Sequence, residues 1–182
     1  MKPIDEDIKI FHPSKNGSAG ADLAELALLM DTYRTNGNID KATALGKKLA
    51  DISPETISPA ESNKLNTNEL RMLRALMVFS AQISLHKYLP HQMLSSQAVN
   101  SMYKKISEDH PGLFENISDG SSYTFYYLSV RKNKDVEINI GKNYAMLCDR
   151  DNDEFYESLG TKIFTQTDIL VCDLIEEFEF KA

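Results

Sequence analysis

The chain has 182 residues and a net charge of −7, with 42% apolar and 26% charged side chains. This composition is typical of a soluble globular protein, and the length suits one domain with a buried core. The longest uncharged apolar stretch, residues 75–85, is far shorter than the ~20 residues that span a bilayer. The acidic start lacks the apolar core of a signal peptide. The two cysteines, Cys148 and Cys172, form no disulfide framework. We therefore expect a cytoplasmic protein with reduced thiols.

The negative charge is confined to one end of the chain. Residues 1–148 carry 17 acidic and 17 basic side chains, whereas residues 149–182 carry ten acidic and three basic ones. Nucleic acids are bound by clustered Lys and Arg that replace counterions on phosphate. The short basic cluster at residues 131–134 is followed at once by Asp135 and Glu137. We therefore expect neither nucleic acid nor a membrane as a partner.

The first 20 residues differ from those that follow. Residues 1–20 hold two prolines and two glycines among Ser and Asn residues, which predicts an irregular leader. No low-complexity linker divides residues 21–182, where apolar residues mostly recur at helical spacing. We predict a single, mostly α-helical domain, built as a helical bundle or as an atypical stack of helical hairpins.

The stretch YRTNGNIDKA, residues 33–42, predicts an elbow between two antiparallel helices. The first helix begins near Ala21. Gly37 supplies the left-handed residue that closes a helix, and Asn38 can cap the next one, which runs to about Ile52.

Two helix-start patterns follow the elbow. Ser58-Pro-Ala-Glu61 has the form of a capping box. A longer helix then begins at Thr67 or Asn68, and its apolar residues cover nearly every face. Because such a helix is normally buried at the centre of a domain, we predict that residues 70–88 form the most buried helix.

The segment SYTFYYLSV, residues 122–130, is apolar by both the helical and the strand period. Its aromatic residues, and the alternation of apolar residues after it, favour a small β-hairpin around residues 123–140. A cap at Asp119 or Ser121 and the neighbouring helical segments favour a helix. We predict a helix and keep the hairpin as the alternative.

The last segment keeps a 3.6-residue period from about residue 153 to 178, with a break near Gly160 or Gln166 as an alternative. Before it, Asp149, Asp151 and Asp153 alternate like the start of a calcium-binding loop. That loop needs Gly where this chain has Glu154 and a bidentate Glu where it has Gly160. We predict an exposed acidic loop, in which Asp151 or Asp153 caps the helix, and no calcium binding.

The elbow resembles one tetratricopeptide unit. Residues 23–56 have the 34-residue length of that helix-turn-helix repeat. The residues that fit its pattern are Leu26, Leu29, Tyr33, Gly37, Ala42 and Pro54. The resemblance implies a helical surface that binds a protein or peptide. Because residues 57–90 do not repeat the pattern, an ordinary hairpin within a bundle is the other interpretation.

No catalytic signature accompanies these elements. We find no nucleophile elbow, dinucleotide fingerprint, phosphate loop or zinc motif. His86 and His91 do not share a helical face, so we expect surface or capping roles for them. We predict no catalytic residue, no cofactor and no metal site, and hence no enzyme.

Three functions remain open. The first is a non-catalytic interaction or regulatory module that binds a protein or peptide through helical surfaces. The second is an acidic inhibitor or immunity-type protein for a basic partner. The third is a helical small-molecule binder or enzyme with an unrecognised site. The predicted partner contacts are Tyr33, Asn36, Asn38, Glu176, Glu177 and Glu179.

Overall fold

A computed structural model describes residues 19–181, with side chains from residue 24 onward. These residues form ten helices and no strand, which confirms the mostly α-helical class. The helices are α1 (Ala19–Thr35), α2 (Asn38–Ala50), α3 (Pro54–Ile57), α4 (Pro59–Ser62), α5 (Thr67–Tyr88), α6 (Gln92–Asp109), α7 (Pro111–Ser118), α8 (Ser121–Lys132), α9 (Val136–Leu147) and α10 (Glu154–Phe178). No described helix combines the length and apolar character that a membrane span requires.

The contacts divide the chain into two compact units, Met1–Gly37 and Asn38–Ala182. The predicted leader, residues 1–20, lies outside the described residues except for its last two, which begin α1. In the first unit, Gly37 follows α1 with a φ of +82°, which confirms the predicted helix stop. The angle between α1 and α2 stays a prediction.

The second unit is built around α5, which packs against α6, α7 and α10 and also against α3, α8 and α9. It contributes ten buried residues, more than any other described helix, and this confirms the prediction for residues 70–88. The helix begins at Thr67, one of the two predicted starts, and Asn66 caps it. The Asn66 side chain accepts bonds from the amides of Asn68 and Glu69, while the Glu69 carboxylate accepts from the Asn66 amide.

Close helix pairs complete this unit, α2 against α6 and α9 against α10. A methyl group at Gly46 would overlap the backbone of Ala98, so glycine is what lets α2 approach α6. Gly160 packs against Gly141 and Tyr144. It therefore serves helix packing, and α10 runs through it without the break that was the alternative at Gly160 or Gln166.

The β-hairpin alternative at residues 123–140 is wrong, because α8 and α9 occupy this segment. The aromatic residues of α8 pack around Phe79 of α5, with ring centroids 5.2 Å from Tyr123 and 5.3 Å from Tyr126. The alternating pattern that suggested a strand does not reflect alternating burial, since Ile138 is 53% exposed. Long-range packing decides the structure of this segment.

Two predicted caps are also wrong. The Ser58 hydroxyl donates to the Glu61 carboxylate at 2.7 Å and makes no cap bond to the backbone, so no capping box forms there. Gly120, with a φ of +72°, precedes α8, so neither Asp119 nor Ser121 supplies the predicted side-chain cap. Two others are confirmed: Asp153 accepts a bond from the Phe155 amide, and His91 caps α6.

Candidate interaction surface

One side of α10 carries a continuous stripe of exposed and half-buried residues, which we call the α10 stripe. Its members recur at helical spacing and therefore share one face. They are Gln166, Ile169, Leu170, Asp173, Glu176 and Glu177. The first half of the stripe is largely apolar, with Ile169 55% exposed, and the second half is acidic.

The apolar half of the stripe borders an open groove of about 320 Å³, which we call the α10 groove. The opposite wall comes from the connection between α2 and α3 and from α3 itself, and it contains Ile52, Thr56 and Ile57. Asp173 also lines the groove, and no basic side chain of a described residue does. An apolar floor beside a carboxylate can accommodate an apolar side chain next to a cation.

The acidic half of the stripe extends into the last turn of α10, where negative side chains destabilise a helix. A helix C-terminus carries partial negative charge, so Lys or Arg stabilises it and Glu does not. The last turn of α10 nevertheless contains Glu176 and Glu177 and no basic residue. The side chains of Asp173 and Glu176 make no hydrogen bond or ion pair within the described part of the chain. Residues that destabilise their own helix are expected on surfaces that serve function.

Asn38 holds the residues that follow α10. Its amide nitrogen donates to the Lys181 carbonyl at 2.7 Å, and its amide oxygen accepts from the Lys181 amide at 3.0 Å. Lys41 donates to the Glu179 carbonyl at 2.7 Å, and Lys48 pairs with the Glu177 carboxylate at 3.0 Å. Asn38 is the first residue of α2, and its predicted role as a helix cap stays a prediction.

The predicted contact residues differ in accessibility. The side chains of Glu176, Glu177 and Glu179 are exposed, and Asn36 is half-buried. Tyr33 is 8% exposed and Asn38 is fully buried. The structure brings Asn38 close to the residues that follow α10, which the sequence did not suggest, while Tyr33 and Asn36 belong to the first unit. Partner contact at these residues stays a prediction.

A polar cluster between α5 and α10 was missed by the sequence analysis. The Asp168 carboxylate accepts from the Ser84 hydroxyl at 2.7 Å, the Tyr88 hydroxyl at 2.7 Å and the Lys87 ammonium at 3.1 Å. Burial works to raise the pKa of Asp168, but these hydrogen bonds outweigh it, so the pKa is lowered. The three donors share one face of α5, yet the sequence gives no sign that Asp168 faces them. The arrangement joins the two helices.

A second polar cluster surrounds Glu69, which is 3% exposed. Its carboxylate accepts from the Tyr156 hydroxyl at 2.9 Å and from the Arg150 guanidinium at 3.2 Å. Burial works to raise the pKa of Glu69, but the Asn66 amide, Tyr156 and Arg150 together lower it. Both oxygens of this carboxylate therefore serve the capping and anchoring of α5.

A reactive Cys148 and a metal site gain no support from the described residues. Burial raises the pKa of Cys148 to about 11, so its thiol is protonated near neutral pH. Within residues 19–181, no three His, Cys, Asp or Glu side chains converge as a metal site. Asp149 and Asp151 are exposed, in a loop that precedes the Asp153 cap.

The tetratricopeptide resemblance of residues 23–56 stays a prediction, and its two helices lie in different compact units. No protein-family model, curated protein or solved structure matches this chain.

Proposed function

We propose that the protein is a non-catalytic interaction module that binds a basic, amphipathic segment of a partner protein in the α10 groove. The observation that carries this proposal is the continuity of an apolar groove with an acidic helix end. Ile169 and Leu170 provide the apolar contact, and Asp173 and Glu176 provide unpaired carboxylates one and two turns further on. A helix with leucines on one side and lysines beside them complements both parts.

Apolar contact supplies most of the affinity in this proposal. Burying a Leu or Ile side chain contributes about 1.5–3 kcal/mol, and grooves of this kind bind the apolar face of a helix. The carboxylates add orientation and association rate, because complementary charge steers encounter more than it raises affinity.

The acidic inhibitor is the second candidate, and it rests on the ten acidic and three basic side chains of residues 149–182. An acidic inhibitor would use the same end of α10. It would contact a broad basic surface of the partner, and no segment of the partner would enter the α10 groove. The two candidates differ in how strongly binding depends on the apolar side chains of the groove.

A defined peptide tests the proposal. The probe is a labelled amphipathic helix of about 18 residues, long enough for five turns, made of leucine and lysine and measured by fluorescence anisotropy. A second peptide has glutamate in place of every lysine. We expect the lysine helix to bind and the glutamate helix not to bind.

Two matched variants locate the binding. Ile169→Asp should weaken binding of the lysine helix about tenfold or more, because it removes an apolar contact worth more than 1.4 kcal/mol. Leu128→Asp changes a side chain of similar exposure, 49%, on α8 and should leave binding unchanged. Equal effects of the two substitutions would reject the groove. Weakening by Glu176→Lys without any effect of Ile169→Asp would favour the acidic inhibitor.

A further inference from the structure

A second cleft, of about 350 Å³, lies between α5 and the start of α7. We call it the arginine cleft. Thr67, Arg71 and Arg74 lie on its α5 side, at positions i, i+4 and i+7, and therefore share one face of that helix. His110 and Gly112, where α7 begins, form the other side.

The lining is basic although the protein is acidic. Two arginines and a histidine contribute to it, and no carboxylate of a described residue does. Arg74 is half-buried and makes no hydrogen bond or ion pair with any residue from 24 to 181. Arg71 donates to the Asn68 side chain at 2.6 Å, which leaves most of its N–H groups free of protein acceptors. Because no protein acceptor occupies its guanidinium, the N–H groups of Arg74 are available to an anion.

Neutral donors add to the same cleft. The amides of Leu113 and Phe114 are already used, because both donate to the His110 carbonyl at 3.0 Å. The amide of Gly112, which precedes them, lies in the first turn of α7, where an amide has no acceptor within its own helix. A methyl group at Gly112 would meet no atom within 4 Å, so the space around this residue is open. Thr67, whose side chain carries a hydroxyl group, lines the opposite wall.

We propose that the arginine cleft binds an oxyanion, the phosphate or carboxylate group of a small organic molecule. Guanidinium groups present planar pairs of N–H donors that match both anions. Leu70 and Leu113 also line the cleft and leave an apolar surface for the rest of the ligand. This site shares no lining residue with the α10 groove and is independent of the function proposed there.

Nuclear magnetic resonance titration tests this proposal with phenyl phosphate, benzoate and benzyl alcohol as probes. We expect both anions to shift the Gly112 amide signal in a saturable manner and benzyl alcohol to leave it unchanged. Tighter binding of phenyl phosphate identifies a phosphate site, and tighter binding of benzoate identifies a carboxylate site. Either order supports an oxyanion site. A Gly112 signal that responds equally to the alcohol would overturn it.

Substitutions that remove the positive charge of an arginine locate the bound anion. Arg74→Gln should weaken binding of the tighter anion about tenfold or more, since it removes a charge-assisted contact. Arg131→Gln, at an exposed arginine of α8, is the control and should not change the affinity. Arg71→Gln, at an exposed side chain, provides a second test if Arg74→Gln does not fold. Equal affinities of the cleft variants and the control would show that the anions bind non-specifically and would reject the site.

Discussion

At the scale of single residues, Gly37 shows how backbone conformation constrains the choice of amino acid. Its φ of +82° lies in the left-handed region, where a side chain is strained. Gly37→Ala should therefore lower the free energy of unfolding by about 1 kcal/mol, as measured by urea denaturation. Gly112→Ala is the matched control, because that glycine has no positive φ and open space around it. A Gly37→Ala protein as stable as the control variant would contradict the prediction.

The lowered pKa of Glu69 predicts that the free energy of unfolding depends on pH. Its pKa is lowered in the folded protein, so ionised Glu69 stabilises the fold above the carboxylate's unfolded pKa of about 4.3. This contribution is lost as the pH falls through the lower, folded value. Glu69→Gln should lower the free energy of unfolding by about 1–3 kcal/mol at pH 7, because the Arg150 and Tyr156 donors lose a charged acceptor.

The deficit of the Glu69→Gln variant should shrink as the pH falls below about 4.3, because the unfolded carboxylate is protonated there first and the folded carboxylate only at lower pH. Urea denaturation at several pH values measures this change. Glu108→Gln replaces an exposed acid and should alter stability little at pH 7. A deficit for Glu69→Gln that is the same at pH 7 and pH 3 would show that the charge of Glu69 does not contribute.

At the scale of elements, α5 organises the second unit, and its burial can be tested. Leu76 is fully buried in this helix, so Leu76→Ala should lower the free energy of unfolding by about 2–5 kcal/mol through lost contacts and a cavity. Leu128→Ala makes the same chemical change at a side chain that is 49% exposed and should have a much smaller effect. Thermal melting of both variants compares them. Similar melting temperatures would contradict the central position of α5.

The same elements show how far the sequence predicts the fold. The long, uninterrupted apolar segment of α5 and the 3.6-residue period of α10 identify both helices from local pattern alone, apart from the break left open near Gly160 or Gln166. The pattern is ambiguous at residues 123–140, where the aromatic side chains fit a strand or a helix. Contact of Tyr126 with Phe79, 47 positions earlier in the chain, contributes to the packing of this segment as helix. Contacts at that separation leave no trace in local periodicity.

The candidate sites were less predictable than the helices. The acidic residues Glu176 and Glu177 were identified from composition, but the α10 groove combines residues 52–57 with residues 166–173. The arginine cleft likewise combines residues 67–74 with residues 110–113. Neither half of either site carries a recognisable motif. Only the packing of α10 against α3, and of α5 against α7, brings the halves together.

At the scale of the whole molecule, the uneven charge is the property that links sequence to proposed function. Residues 149–182 supply the entire net charge of −7. Part of this charge is used internally, since Asp168 pairs with Lys87 and Glu177 pairs with Lys48. Asp173 and Glu176 have no such partner within the described part of the chain. They are therefore the carboxylates best suited to attract a basic segment towards the α10 groove.

Reversing these two charges should change binding and stability in different directions. The double substitution Asp173→Lys and Glu176→Lys should slow association of the leucine–lysine helix and reduce the dependence of its association rate on salt. Stability should stay the same or rise slightly, because a cation near the end of α10 interacts favourably with the helix dipole. Stopped-flow fluorescence at several salt concentrations and urea denaturation measure the two effects.

Reversal of two exposed acids on other helices, Glu108→Lys and Glu115→Lys, changes the net charge equally and is the control. If net charge alone attracted the peptide, both double variants would slow association to the same extent. A larger effect at the α10 stripe, with no loss of stability, is the expected outcome. This outcome would also explain why the last turn of α10 is acidic although basic residues would stabilise it. Basic residues there would make the helix end more stable but would slow binding of the partner.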